Sequence, residues 1–434
     1  MKAFNLKLFF SILNSICKSL PSRNVKTFLE LFIGAILSTS GHITQAYLRG
    51  NFQCHWTTYY KWLSGGEWEI ETLIDKYIIA ITNLLFSKNI KKLRVLIDDT
   101  IVYRSSKNAP QAKIDFEHSA KNNRAKYVLG QTWVTAAICF FTKKNKPVAI
   151  PAISRLAQKK GNKNKIEIAV ELLESICHAI NDPFEKLALV DAWFMKKSFI
   201  IPALELGYQI IGQARIDTFL YLDPVTQKKG RGRKKKFGEK ITLERAMKLK
   251  SNTTEVFIYG NDNLVRYRSL VVKVKFLDGL PARAVWCEIY NKKKNIWSKP
   301  SLILSTEINL MPLEIIKEYS CRWPIESFFN QIKNNWGMKE AWQRTEKALM
   351  RWFHINCIAY GVMAVVNIYS KENRTNVFDF LPWRKNYEVT SGMIREYMNI
   401  YFSTLSIREL WSDKSRKIIV PENAILKENR KGAP

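Results

Sequence analysis

Four side chains of different chemistry are spaced along YSCRWPIESFFNQIK, the stretch from Tyr319 to Lys333: a phenol, a guanidinium, a carboxylate and an amine. Tyr319, Arg322, Glu326 and Lys333 are separated by three, four and seven residues. At about 100° per residue, a helix would bring them within roughly 60° of one another. Beside them Ile325, Phe328, Phe329, Ile332 and Trp336 follow the rhythm of an apolar stripe that a helix buries. Pro324 interrupts the pattern, because it has no amide to donate and its ring clashes with the carbonyl four residues back. A helix must therefore start or kink at that point. The firm part of the expectation is Glu326 and Lys333 on one helix, beside a core-facing stripe.

Two other stretches place acids where burial makes them costly. In KKLRVLIDDTIVYR the alternation of Leu93, Val95 and Ile97 predicts a strand that ends at Asp98, Asp99 and Thr100. In LALVDAWF a second apolar strand ends at Asp191. A carboxylate at the end of a core strand has to be compensated by a cation or by hydrogen bonds, which points to a metal. Hard oxygen ligands suit a hard divalent ion, magnesium first and manganese second. Periodicity leaves Asp98 and Asp99 as alternatives, since a shift of one residue swaps faces.

The spacing Y-x2-R-x3-E-x6-K, with D-x-T beginning at Asp98 and the single acid at Asp191, resembles the signature of bacterial insertion-sequence transposases of the hairpin-forming DDE group, the YREK transposases. The resemblance runs from about Leu93 to Gly361. It implies an RNase H-like fold in which Asp98, Asp191 and Glu326 are the catalytic, metal-binding acids, with Asp99 as the fallback for the first. It also implies that Tyr319, Arg322 and Lys333 contact DNA phosphates, and that magnesium or manganese is the cofactor. The reaction would be cleavage and strand transfer at transposon ends, on double-stranded DNA held by a homodimer in the synaptic complex. Relatives hold a flipped base with an aromatic side chain of a β-rich insertion, for which Trp286 and Trp297 are the candidates. A DNA-binding derivative whose chemistry has lapsed, or a nuclease without strand transfer, would carry the same acids.

Composition points the same way. Against 38 Asp and Glu stand 69 Lys and Arg, a net charge of +31, which favours a polyanionic partner through counterion release. The densest basic run, KKGRGRKKKFGEK, offers Arg231, Arg233, Lys234, Lys235 and Lys236 to a DNA backbone. A membrane is not expected, because the most apolar stretch, Leu31 to Leu48, is broken by Ser, Thr, His and Gln. Seven scattered cysteines with no C-x2-C pair argue against a disulfide framework or a structural zinc site, and fit a reducing cytoplasm. Walker A, G-x-S-x-G and H-E-x-x-H motifs are absent.

The elements that must position these residues read as an α/β fold: an RNase H-like mixed sheet with a β-rich insertion, flanked by helical regions at both ends. Residues 1–90 are helical and are expected to read DNA ends. Residues 91–215 form the first part of the core, with a strand hairpin over 130–153 and a helix from Asn164 to Ile180. The insertion with its basic loop occupies 216–306. The second part of the core, 307–370, carries the Glu326 helix and a buried helix in which His354 is a satisfied core residue. A helical region and tail, 371–434, complete the chain.

Overall fold

The computed structural model describes residues 6–117, 125–158, 164–180, 183–224, 235–369, 383, 390–403 and 405–419. The chain begins with α1 (Leu6–Cys17), α2 (Ser22–Leu37), α3 (Ile43–Arg49), α4 (Trp56–Gly65) and α5 (Ile70–Ser87). α1 buries Phe9, Phe10, Ile12, Leu13 and Ile16, one face at helical spacing. α2 is buried on nearly every side.

The central sheet follows as β1 (Lys92–Tyr103), β2 (Lys113–Phe116), β3 (Tyr127–Phe141), β4 (Pro147–Leu156), α6 (Lys165–Ala179), β5 (Glu185–Val190), α7 (Lys197–Glu205) and β6 (Tyr208–Ala214). β1, β5 and β6 run parallel, whereas β3 is antiparallel to β1 and β4 to β3. Leu187, Ala188, Leu189 and Val190 are all buried, as a strand covered on both faces requires. α6 begins with a capping box: Asn164 accepts from the amides of Ile166 and Glu167, and Glu167 accepts from the amide of Asn164. That cap fixes where Lys165 enters the site.

The next stretch comprises β7 (Leu220–Tyr221), β8 (Lys240–Ile241), α8 (Leu243–Met247), β9 (Asn252–Ile258), β10 (Asn261–Val274), β11 (Pro281–Asn291), β12 (Ile296–Trp297) and β13 (Ser301–Ser305). β13 pairs antiparallel with β6. The inserted strands therefore continue the core sheet, in the order β2-β3-β1-β5-β6-β13-β11-β10-β7-β8. Without β13, β6 would expose an unpaired edge. Fold and sheet together are the mixed α/β, RNase H-like architecture expected of the sequence.

α9 (Pro312–Ser320), α10 (Pro324–Asn334), α11 (Glu346–Tyr369), α12 (Ser391–Ser403), β14 (Trp411–Ser412) and β15 (Lys417–Ile418) complete the described elements. α11 is long and apolar enough to cross a membrane, yet 94% of its most apolar window is buried inside the protein. It is the central core helix, packed on β4 and against α2, α4 and α5. His354 lies within it, donating from Nδ1 to the Met350 carbonyl and accepting at Nε2 from the Ser154 amide. Burial lowers its pKa to about 3, so the ring is a neutral core group.

Two buried arginines join the terminal helices to this core. Arg351 of α11 donates to the carbonyls of Trp62, Leu63, Gly66 and Trp68 around the end of α4. Arg395 of α12 donates to Ala35, Ile36 and Ser38 at the end of α2 and to Asn335 just beyond α10. Gly337, at φ 72°, lies against the backbone of Gly41 so closely that a Cβ on either would overlap the backbone of the other. The helices of 6–87 thus share one layer with α11 and α12.

Candidate active site

The register of the parallel strands sets the site. Ile97 of β1 lies beside Val190 of β5, so Asp98 and Asp191 follow at the same level. Asp191 stands just past the end of β5, whereas β1 does not stop at its acids as the alternation predicts but runs on to Tyr103, because Asp98 to Tyr103 stay paired with β3. On β1, Arg94 and Asp98 share a face, and Arg94 grips Glu318 of α9 through Nε and Nη2 at 2.5 and 2.7 Å. A buried bidentate pair of this kind fixes the helix end against the strand. α9 then stops, and the chain turns through Cys321, Arg322 and Trp323 before Pro324 opens α10 at its first position.

Tyr319, Arg322, Glu326 and Lys333 therefore do not ride one continuous helix. Tyr319 closes α9, Arg322 lies in the turn, and Glu326 and Lys333 stand on α10. Of the two alternatives at Pro324, a start rather than a kink is the outcome, because proline lacks the amide that an interior position needs. The tight turn keeps three of the four together. Arg322 Nη1 is 3.1 Å from Asp98 Oδ2, and its Nη2 is 2.7 Å from Glu326 Oε1. The Tyr319 ring lies 5.9 Å from the guanidinium carbon, and its hydroxyl donates to Gln213 of β6 at 3.1 Å.

Asp191 Oδ1 accepts from the amides of Trp193 and Phe194 at 3.0 and 3.3 Å. Asp99 points the other way, where its Oδ2 is 3.0 Å from Nζ of Lys165 at the start of α6. Asp98, not Asp99, shares the arginine with Glu326.

Burial pushes the Asp98 carboxyl up to about 7; Asp191 and Asp99 add to the rise and Arg322 opposes it. Asp191 is raised as well, chiefly by burial. Burial works against the charge on Arg322, but Tyr319, Asp98 and Glu326 outweigh it and hold the group protonated. The acids are thus short of positive charge, the deficit that a bound cation removes. Three carboxylates are a fitting donor set for a hard divalent ion. Among the described residues no three acid, histidine or cysteine side chains stand together ready to enclose one ion. The Arg322 guanidinium lies between Asp98 and Glu326.

Lys333 is partly buried on α10, and burial lowers its pKa to about 8. A lysine that binds its proton less tightly when folded penalises folding at neutral pH, and the penalty fades as pH rises from about 8 towards the unfolded value of about 10.4. Lys333→Met should raise the stability of the DNA-free chain by about 1–2 kcal/mol at pH 7, with the gain shrinking towards zero near pH 10. Urea unfolding of both proteins at the two pH values measures it; an equal difference at both would remove the titration argument.

Other expected residues are placed as follows. Lys235 and Lys236 are exposed, while Arg231, Arg233 and Lys234 lie outside the described residues. Trp286 is 2% exposed and cannot receive a base. Trp297 has the Arg266 guanidinium 4.4 Å from its ring centre. Two other aromatics lie nearer the acids. Trp193, two residues after Asp191, is 41% exposed with Lys196 and Lys165 at 3.7 and 4.8 Å from its ring. Trp323, beside Arg322, is half exposed and meets Tyr259 of the β9–β10 turn edge-on at 6.2 Å. The signal for Trp193 was present in DAWF, where an aromatic stands two residues after a strand-end acid.

Comparison with known families gives one result that covers this arrangement. The family described as "Transposase DDE domain" matches residues 91–362, from the first residues before β1 to the middle of α11 and well over half of the chain. No curated protein matches the chain.

Proposed function

We propose, from the premise that this chain belongs to the transposase DDE domain family, that it cuts and rejoins DNA at the ends of an insertion sequence, as a hairpin-forming transposase of the YREK group. The observation that carries the reading is the convergence of Asp98 and Asp191, level on neighbouring parallel strands, with Glu326, which α10 delivers to the same arginine as Asp98.

Asp98, Asp191 and Glu326 would hold magnesium or manganese, whose chemistry is to lower the pKa of an attacking water or 3′-hydroxyl and to stabilise the leaving oxygen. The chain's own groups do the positioning. The Arg322 fork and the Lys333 amine neutralise phosphates beside the scissile bond, and the Tyr319 hydroxyl donates to a phosphate oxygen in place of Gln213. Lys235 and Lys236, with Arg231, Arg233 and Lys234 of the same run, follow the DNA backbone. Residues 1–90 read the ends of the element. Joining two ends requires two such sites, hence a homodimer, acting in the bacterial cytoplasm.

The test is cleavage of a supercoiled plasmid carrying the element's own ends, with magnesium. Asp191→Asn and Glu326→Gln should still bind the ends but lose cleavage by on the order of a thousandfold, the rate equivalent of about 4 kcal/mol of transition-state stabilisation. Cleavage by both variants at the wild-type rate would remove these acids from the mechanism.

A further inference from the structure

We infer that Arg322 is an internal counter-ion: in the DNA-free chain it takes the place of the metal between Asp98 and Glu326, and it gives that place up when a DNA phosphate draws it away. The inference rests on the assignment of the acids above but concerns the order in which the site is filled.

Its two terminal nitrogens are divided between the acids, at 3.1 Å from Asp98 Oδ2 and 2.7 Å from Glu326 Oε1. Asp98 Oδ1 already accepts from the Asp99 amide at 2.9 Å. The oxygen that Asp98 turns towards Glu326 is therefore the one the guanidinium holds. A guanidinium held between the two acids fills the space between them and neutralises the charge that would draw an ion there, so it competes with a cation for the same pair. The neighbouring cations are committed elsewhere, Lys165 to Asp99 and Arg94 to Glu318, which leaves Arg322 as the bridge between these two acids.

Two features mark the bridge as a state that the protein can leave. Arg322 Nε is buried with no partner. A guanidinium that served only as a structural clamp would have all its donors answered, since an unanswered buried donor is costly. A phosphate offers what the present site lacks, two oxygens in the plane of the fork. Arg322 also sits in the turn between α9 and α10 rather than inside either helix. The turn is the joint between two helices, and the side chain of Glu326 is 38% exposed and free to follow the guanidinium.

The consequence is a coupling between two ligands. If phosphate and metal both displace the same contact, each raises the affinity for the other by one common factor. The site would then fill with metal when DNA is in place, which spares the chain from cutting phosphodiesters that it has not gripped.

The experiment titrates Mn2+ alone into the full-length protein and reads free ion by electron paramagnetic resonance. Arg322→Gln should bind Mn2+ about tenfold or more tightly than wild type, and the gain should vanish in the Asp98→Asn, Arg322→Gln double variant. Short end duplex added to wild type should tighten Mn2+ binding by a similar factor and should add little to Arg322→Gln. The duplex arm needs no substitution, so a variant that folds poorly does not decide the outcome. Equal Mn2+ affinity in wild type and Arg322→Gln, with no tightening by duplex, overturns the counter-ion. If that equal affinity is nevertheless lost in Asp191→Asn and Glu326→Gln, the acids stand and only the gating falls. No Mn2+ binding by any protein, with or without duplex, overturns both.

Discussion

Asp98→Asn should lower magnesium-dependent cleavage by about a thousandfold or more, whereas Asp99→Asn should leave it within about tenfold of wild type. The two aspartates are adjacent in sequence and both are partly buried, so composition and exposure do not separate them. Their faces do. Asp98 follows Ile97, which pairs with Val190, and it turns towards Arg322 and through it towards Glu326. Asp99 turns to α6 and ends on Lys165. Asparagine keeps the shape of either side chain but removes the anionic oxygen, which at Asp98 would cost the proposed metal site a ligand and at Asp99 the ion pair with Lys165. The exchange at Asp99 is not silent, because Lys165 also stands over the Trp193 ring, and a modest loss of DNA affinity is expected there. Single-turnover cleavage of end-bearing DNA, with binding measured in parallel, distinguishes the two. Equal losses of rate at both positions would mean that the face assignment fails.

That distinction shows where sequence runs out. Alternation in RVLI predicts a strand, and the acids at its end predict a compensated site, because both follow from a residue and its immediate neighbours. Which acid faces the turn between α9 and α10 and which faces α6 depends on how β1 pairs with β5, whose partner residues lie more than ninety positions later in the chain, and the alternating pattern stops at the two aspartates. The YREK spacing is a similar case. A 100° step gathers Tyr319, Arg322, Glu326 and Lys333 on paper, yet Pro324 cuts the helix and the turn regathers Arg322 and Glu326 instead. The partner of β6 was likewise hidden. The strands of the insertion are readable one by one, but that β13 would extend the core sheet depends on a tertiary contact that no local pattern encodes. The fate of Trp286 was open for the same reason: a tryptophan in a strand looks the same whether its face is covered or bare.

The second large effect is one of folding. Arg351→Met should destabilise the protein by about 3–5 kcal/mol, the range for removing one partner of a fully buried polar cluster. Arg351 is 1% exposed, and its guanidinium serves the carbonyls of Trp62, Leu63, Gly66 and Trp68 while lying 4.1 Å from the Trp68 ring centre. Trp68 in turn stacks on Trp62 at 4.3 Å. The Trp62 carbonyl also accepts from the Gly66 amide and the Trp68 indole, and the Gly66 carbonyl from the Trp68 amide, so methionine would fill the volume but strip the Arg351 donors from the buried Leu63 and Trp68 carbonyls above all. Lysine should not rescue, since one ammonium cannot reproduce the planar fork that reaches four oxygens. The measurement is the urea midpoint and slope of the full chain; a loss below about 1 kcal/mol would mean that water or local rearrangement answers those carbonyls. Because α11 also packs on β4, which is continuous with the strand bearing Asp98 through β3, the same helix that anchors the N-terminal layer braces the sheet that carries Asp98. Cleavage per folded molecule, assayed well below the new midpoint, should nevertheless stay near wild type: Arg351 holds the layers together and does not touch the acids.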